Sequence, residues 1–183
     1  MGMKKIKTVH IPSSVVFIGQ SSFGITLSLE RITIPGSVRT IGDSAFFNSG
    51  VGEVNLTDGL QYIGDTAFRY CNSLKSITIP SSVAWIGNLA FLDCNNQRLD
   101  INVSESNIRY SSKDGMLFDK DKTQLIRGID SETVKLPTTL TTIKTWAFYE
   151  CRSVQNMYVF GDTKLFEAQS MNMGKRELQV FTP

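Results

Sequence analysis

Histidine is almost missing from this chain of 183 residues, which has only one. Nucleophilic catalysis of the Ser-His-Asp or Cys-His kind needs an imidazole beside the nucleophile. His10 would have to serve any such site alone. It sits between the strand-like residues Val9 and Ile11, where alternation turns it to the solvent side of a sheet. Cysteine is scarce as well, at three, and an odd number does not make a disulfide framework. No apolar run is long enough to cross a bilayer, so membrane insertion is not expected. Pro12, Ser13 and Ser14 interrupt what would be the apolar part of a signal peptide after Lys4, Lys5 and Lys7. An excess of one charge is also lacking: 19 basic residues against 17 acidic ones leave +2. The basic residues are scattered, which argues against nucleic-acid binding. No G-x-x-x-x-G-K-[ST] or G-x-G-x-x-G phosphate loop occurs.

What the chain does have is repetition, the first thing to seek in a chain of this length. Phe23, Phe46, Phe68, Phe91 and Phe148 recur at steps of 23, 22, 23 and 57 residues. Ile18, Ile41, Ile63, Ile86 and Ile143 keep the same steps, and so do Ile11, Ile34, Leu56, Ile79 and Leu136. Three columns in one register delimit repeats near residues 6–28, 29–50, 51–73, 74–99 and 131–153. The long step is one repeat plus an insertion of 34 residues, read as 100–133.

Each copy has a physical reading. Leu74-x-x-Ile77-x-Ile79-Pro80 ends in the period-2 alternation of a strand. Proline closes it, having no N–H to donate, and Ser-Ser-Val makes a turn. Val83-x-x-Ile86 comes next, then a glycine (Gly19, Gly42, Gly64, Gly87) expected to permit a tight bend. The Phe then turns inward. One copy cannot bury this set alone, whereas stacked copies can, so the phenylalanines are expected to form a spine. Cys71, Cys94 and Cys151 share one column, three places after each Phe. A column of buried thiols packs as small hydrophobes. A metal or reactive thiol would need converging ligands, and the one histidine lies in another column. A Cys71–Cys94 disulfide is sterically conceivable and not required.

The pattern Leu-x-x-Ile-x-Ile-Pro-x-x-Val-x-x-Ile-Gly-x-x-Ala-Phe-x-x-Cys resembles the BspA-like (Treponema pallidum-type) leucine-rich repeat over residues 6–99 and 131–160. The chain lacks the asparagine ladder position that the best-known leucine-rich repeats carry after the strand. The resemblance implies a mainly β repeat solenoid: a right-handed superhelix with a parallel sheet on one face and irregular or extended segments on the other. Residues 1–160 would form it. Residues 161–183 read as a degenerate closing turn, with "LQVFTP" a last strand.

Within the insertion, Asp114-Gly115 signals a hairpin and Asp119 to Lys122 a second turn, so a small β-meander is expected. Asp119-x-Asp121 lacks the further oxygen ligands, glycine and closing Glu of a calcium loop, so a solvated turn is the simpler reading. Asp43 and Asp65 recur with the repeat beside the glycine, which favours a turn role over paired-carboxylate chemistry. The sequons at 55–57 and 102–104 fall in strand-like segments. Before the first strand there is no polar cap, so an apolar end would stay open. The chain is expected either to continue a longer solenoid or to pack this end on another copy.

Two surfaces are candidates for binding. The first is the outer face of the sheet: Arg31, Thr33, Glu53, Asn55, Ser76, Thr78, Asn156 and Tyr158. These alternate with core residues and vary between copies while the core does not, and solenoids generally bind on a concave sheet face. The second is Phe17, Tyr62 and Trp85, aromatic where other copies hold Thr40 and Thr142. Facing outward, they would form a broken aromatic stripe; partial burial under neighbouring turns is the alternative. No residue suggests catalysis, a metal or a cofactor. The expected role is a non-catalytic module binding a protein or glycan, with a structural spacer of a longer solenoid as the rival. The resemblance implies a cell-surface or secreted adhesion-type protein if the chain is part of a longer one. Without a signal peptide, the chain as written would be cytoplasmic.

Overall fold

Arg31-Ile32-Thr33-Ile34 alternates polar with apolar, so an extended strand buries two side chains and exposes two. In the computed structural model, which describes residues 5–160, 165–166 and 179–181, that is what Arg31–Ile34 does. The strands in chain order are β1 (Thr8–Val9), β2 (Phe17–Ile18), β3 (Arg31–Ile34), β4 (Thr40–Ile41), β5 (Glu53–Leu56), β6 (Tyr62–Ile63), β7 (Ser76–Ile79) and β8 (Trp85–Ile86). Next come β9 (Asp100–Val103), β10 (Tyr110–Lys113), β11 (Met116–Asp119), β12 (Gln124–Arg127), β13 (Thr133–Lys135), β14 (Thr142–Ile143), β15 (Asn156–Tyr158), β16 (Leu165–Phe166) and β17 (Gln179–Phe181).

Two strand columns emerge, both parallel. On the first face β1, β3 and β5 pair in order, β7 pairs with β9, and β13, β15 and β17 pair in order. The second face carries short strands: β2, β4, β6 and β8 pair in order, and β12, β14 and β16 continue the column. The chain is thus a mainly β parallel solenoid. Its second face is more regular than irregular segments would be. The last rungs, β16 and β17, extend both columns into residues 161–183.

Every repeat sends its Phe inward. The rings of Phe23, Phe46, Phe68 and Phe91 stack with centroids 5.1, 5.0 and 5.5 Å apart. Phe46 and Phe68 are fully buried. Such offset stacks add about 0.5–1.5 kcal/mol per pair beyond the apolar area they bury.

The corner around each Phe is built by residues in left-handed backbone. Ser21, Ser44, Thr66, Leu89 and Trp146, two places before the Phe, all have positive φ. So do Ile25, Asn48, Tyr70, Asp93 and Glu150, two places after it. Left-handed residues alternating with the residues between them turn every second N–H along the solenoid axis. Ser44, Phe46 and Asn48 donate to the carbonyls of Asp65, Ala67 and Arg69 in the next turn, at 2.8, 2.7 and 2.8 Å. Ser21, Phe23 and Ile25 do the same towards Asp43, Ala45 and Phe47.

The tight bend expected at the repeat glycine is therefore made elsewhere: Gly19, Gly42, Gly64 and Gly87 do not have positive φ. Glycine stands there because successive turns touch. A Cβ on Gly64 would lie 2.6 Å from the Asp43 amide nitrogen and 2.6 Å from the Gly42 carbonyl carbon. The neighbouring acids join the turns in the same place. The Asp43 Oδ1 accepts the Asp65 amide at 2.9 Å, and the Asp65 Oδ1 accepts the Asn88 amide at 2.7 Å.

Residues 100–133 hold both solenoid and insertion. Asp100–Val103 pairs in parallel with Ser76–Ile79 as the next rung of the first face. It has the alternation of a repeat strand without the Ile-Pro ending, so the sequence shows no boundary between it and the insertion. The meander is β10, β11 and β12, antiparallel in order. Asp114 and Gly115 form its tight turn at φ 51° and 75°, as an Asp-Gly hairpin requires. Asp119 closes the second turn by accepting the Thr123 hydroxyl and the Gln124 amide. β12 then re-enters the second face, pairing in parallel with β14. Buried Asn107 anchors the meander on the turn before it. Its amide donates to the carbonyls of Pro80 and Val83, and its Oδ1 accepts the amides of Arg109 and Tyr110.

This enlarged turn divides the interior. Residues from Ile11 to Ile101 form one core cluster and Val134 to Val159 the body of another. Strand β11 stands between them, with Leu117 in the first cluster and Met116 and Phe118 in the second. Phe148 belongs to the second, fully buried against the chain at Gly128.

Candidate functional site

Strand alternation places the first candidate group on the outside of the first face. Arg31, Thr33, Glu53, Asn55, Ser76 and Thr78 are exposed, and Asn156 and Tyr158 are half-buried. Parallel register sets Arg31 beside Glu53 and Thr33 beside Asn55. Ser76 and Thr78 lie beside Asp100 and Asn102. Asn156 and Tyr158 are not brought close to the others. They lie beyond the enlarged turn beside Thr133 and Lys135, with the Lys135 ammonium 5.8 Å from the Tyr158 ring centre. Asp100, Asn102, Thr133 and Lys135 extend this face beyond the residues that the sequence singles out. The alternation in Asp-Ile-Asn-Val and Thr-Val-Lys was the signal for them.

The second group lies on the other face. Phe17, Thr40, Tyr62 and Trp85 succeed one another in register. Phe17 is 58 %, Tyr62 37 % and Trp85 53 % exposed. The rings of Tyr62 and Trp85 stack at 6.4 Å, nearly parallel at 8°. A ring covered by its neighbour on one side keeps its other face open along the solenoid axis.

That open side of Trp85 meets the meander. Between β8 and β12 the second-face column is interrupted, and the edge of β8 is capped by a side chain instead. The Tyr110 hydroxyl accepts the Ile86 amide at 2.9 Å. Burial pushes the Tyr110 phenol up from its ordinary pKa of 10.0. The interruption opens a cleft of about 510 Å³, lined by Trp85 and Trp146 together with Asn88, Asp119, Gln124, Lys144 and buried Arg127.

Arg127 is buried, and the structure gives its fork three carbonyl partners. Nε donates to the Phe91 carbonyl at 3.0 Å, and an Nη donates to those of Leu99 and Gly128 at 3.2 and 2.9 Å. Burial pulls its pKa below the ordinary guanidinium value. The equivalent carbonyls of Phe46 and Phe68 are served by thiols: Cys71 Sγ reaches the first at 3.1 Å and Cys94 Sγ the second at 2.8 Å. Cys71, Cys94 and Cys151 are all free and buried. The contact with Cys94, and then burial, push the Cys71 thiol up; burial pushes Cys151 up to about 12. These two thiols are held protonated and are not poised as nucleophiles. The column starts with Thr26 and Ser49, whose hydroxyls meet at 3.0 Å. Asp130, also buried, accepts the Ser153 amide and hydroxyl, with Arg98 3.7 Å away, and so ties the enlarged turn to the one after it. His10 is exposed. Among the described residues no three His, Cys, Asp or Glu side chains gather as metal ligands.

The recurring strand, glycine contact, Phe spine and cysteine column are those of one repeat type. The family model for the BspA type leucine rich repeat region, six copies, matches residues 1–114 and 126–172. The chain belongs to the BspA-type leucine-rich repeat family.

Solved structures agree on the fold of this BspA-type chain. It is similar to the pneumococcal vaccine antigen PcpA at 26% identity and a TM-score of 0.61, over 84% of this chain and 45% of that one. It is similar to a leucine-rich repeat protein from Eubacterium ventriosum at 22% and 0.60, over 84% and 50%. It is also similar to the Treponema pallidum leucine-rich repeat protein at 24% and 0.53, over 95% and 68%. The chain spans about half the length of the first two. None of the curated proteins matches it. Among the described residues no helix is long and apolar enough to cross a membrane. Within the BspA-type pattern, the gap between residues 114 and 126 falls inside the meander, where this chain departs from its own repeat.

Proposed function

We propose that this chain is a non-catalytic binding module of a cell-surface protein, engaging a protein or glycan through the outer residues of its parallel sheet. One observation carries this reading: a repeated apolar interior underlies a face whose exposed side chains differ from rung to rung. Arg31 sits beside Glu53, Thr33 beside Asn55, Ser76 beside Asp100 and Thr78 beside Asn102. Interior demands fix the apolar columns. Nothing in stacking requires this particular sequence of charges and amides outside. Rigid strands hold these groups in place, so binding would cost little ordering entropy. The similarity to a pneumococcal vaccine antigen supports a surface location.

The rival is a spacer that only sets distance within a longer solenoid. The test is the purified chain on panels of defined glycans and purified extracellular proteins, with Arg31→Glu, Glu53→Arg and Asn55→Lys compared with the wild type. Loss of a binding signal in folded variants supports the module. A wild-type chain that binds nothing, or a signal indifferent to all three changes, supports the spacer.

A further inference from the structure

We propose that the cleft lined by Trp85 and Trp146 is a binding site for a neutral saccharide. The proposal rests on the reading of this chain as a binding module and names a different surface and one ligand class. Size comes first. About 510 Å³ is in the range of small-ligand sites and too narrow for a folded partner. The walls come next. Trp85 is half exposed and stacked on Tyr62 by one face only, so its other indole face is available. Trp146 also lines the cleft, braced edge-on by Tyr149 at 4.8 Å. Flat, apolar, braced walls accept the C–H-bearing face of a pyranose ring at little entropic cost.

The polar lining narrows the class. Asn88, Asp119, Gln124 and Lys144 supply donors and acceptors for hydroxyls, while a lipid tail would leave them unmatched. The charges of Asp119 and Lys144 oppose each other, and Arg127 spends its hydrogen bonds to Phe91, Leu99 and Gly128 on backbone carbonyls. Apart from Arg127, whose Nε and one Nη are occupied by those carbonyls, the lining carries one cation and one anion, Lys144 and Asp119, which is less free positive charge than a phosphate or uronate site collects. Phe17, Tyr62 and Trp85 lead towards it along one sheet column, giving a longer chain of sugars further places to lie.

The chain contains two tryptophans, and both line this cleft. Intrinsic fluorescence is thus a reporter confined to the site. The experiment titrates the intact chain with neutral gluco-, galacto-, manno- and N-acetylglucosamine oligosaccharides while following emission. Trp85→Ala, Trp85→Phe, Gln124→Ala and Lys144→Ala are compared with Arg31→Glu on the other face. Circular dichroism confirms that each variant folds. The expected result is a saturable emission change with at least one saccharide. Affinity should fall about tenfold in Trp85→Ala, recover in large part in Trp85→Phe, and stay unchanged in Arg31→Glu. Saccharide binding that ignores Trp85→Ala but is lost in Arg31→Glu overturns the cleft and leaves the binding module standing. Binding of a purified protein without any saccharide response does the same. Absence of any response, on this cleft and on the sheet face, overturns both.

Discussion

Arg127 Nε lies 3.0 Å from the carbonyl oxygen of Phe91, the acceptor that a cysteine thiol serves on Phe46 and Phe68. The enlarged turn brings no cysteine to that column, and a guanidinium reaches in from β12 to do the job. Removing it leaves those carbonyls without their donor in a buried seam. Arg127→Met is expected to destabilise the chain by about 1–3 kcal/mol for each carbonyl left unpaired. Arg127→Lys should recover only part of the loss, since an ammonium cannot reproduce the planar fork. Urea unfolding of the three proteins checks the order. Equal stability of wild type and Arg127→Met would show that the guanidinium is not holding the seam.

Glycine at the Ile-Gly position answers to the turn below it. Gly64→Ala is expected to cost about 1–3 kcal/mol, as overpacking against backbone does. Gly52→Ala, where the added carbon would find its nearest neighbour at 3.5 Å, should be close to neutral. Thermal melting of the two variants separates contact between turns from a general dislike of alanine. A similar loss in both would sink the distinction.

The buried Cys151 thiol makes stability fall in alkali. A free thiol has an ordinary pKa of 9.0, whereas Cys151 is pushed up to about 12. The folded state therefore keeps a proton that the unfolded chain gives up. This contribution is fully present below pH 9.0 and is lost as the pH rises from there through about 12. The slope is at most about 1.4 kcal/mol per pH unit for one thiol. Denaturant midpoints of wild type and Cys151→Ala across that window test the sign. The variant should start less stable and decline less steeply.

Much of the solenoid was legible in the sequence because its causes are local and repeated. Ile32 and Ile34 announce their own burial by alternation, and Phe46 and Phe68 announce a spine by recurring in register. What stayed hidden depends on contacts between turns. Nothing in the residue types Ser44, Thr66 or Leu89 advertises left-handed backbone, which is imposed by the next turn's carbonyls. The glycine column was legible as a column but not in its cause, since Gly64 meets Gly42 and Asp43 only once the turns are stacked. The cleft was least legible of all. Trp85 could be flagged as an odd aromatic, but Trp146, Gln124 and Asp119 join it only because a meander forces the second-face column apart.

The Phe corners also give the molecule a direction. Their amides point towards the C-terminal end and their carbonyls towards the N-terminal end, turn after turn. At these corners the solenoid has unlike tips, one offering acceptors and the other donors, while the second-face segments donate the opposite way, as Gly42 and Gly64 do to the carbonyls of Ile18 and Ile41. Two copies, or two segments of one longer protein, continue both sets of bonds by joining tip to tail. A symmetric pair butted at the N-terminal tips would bring corner oxygen against corner oxygen.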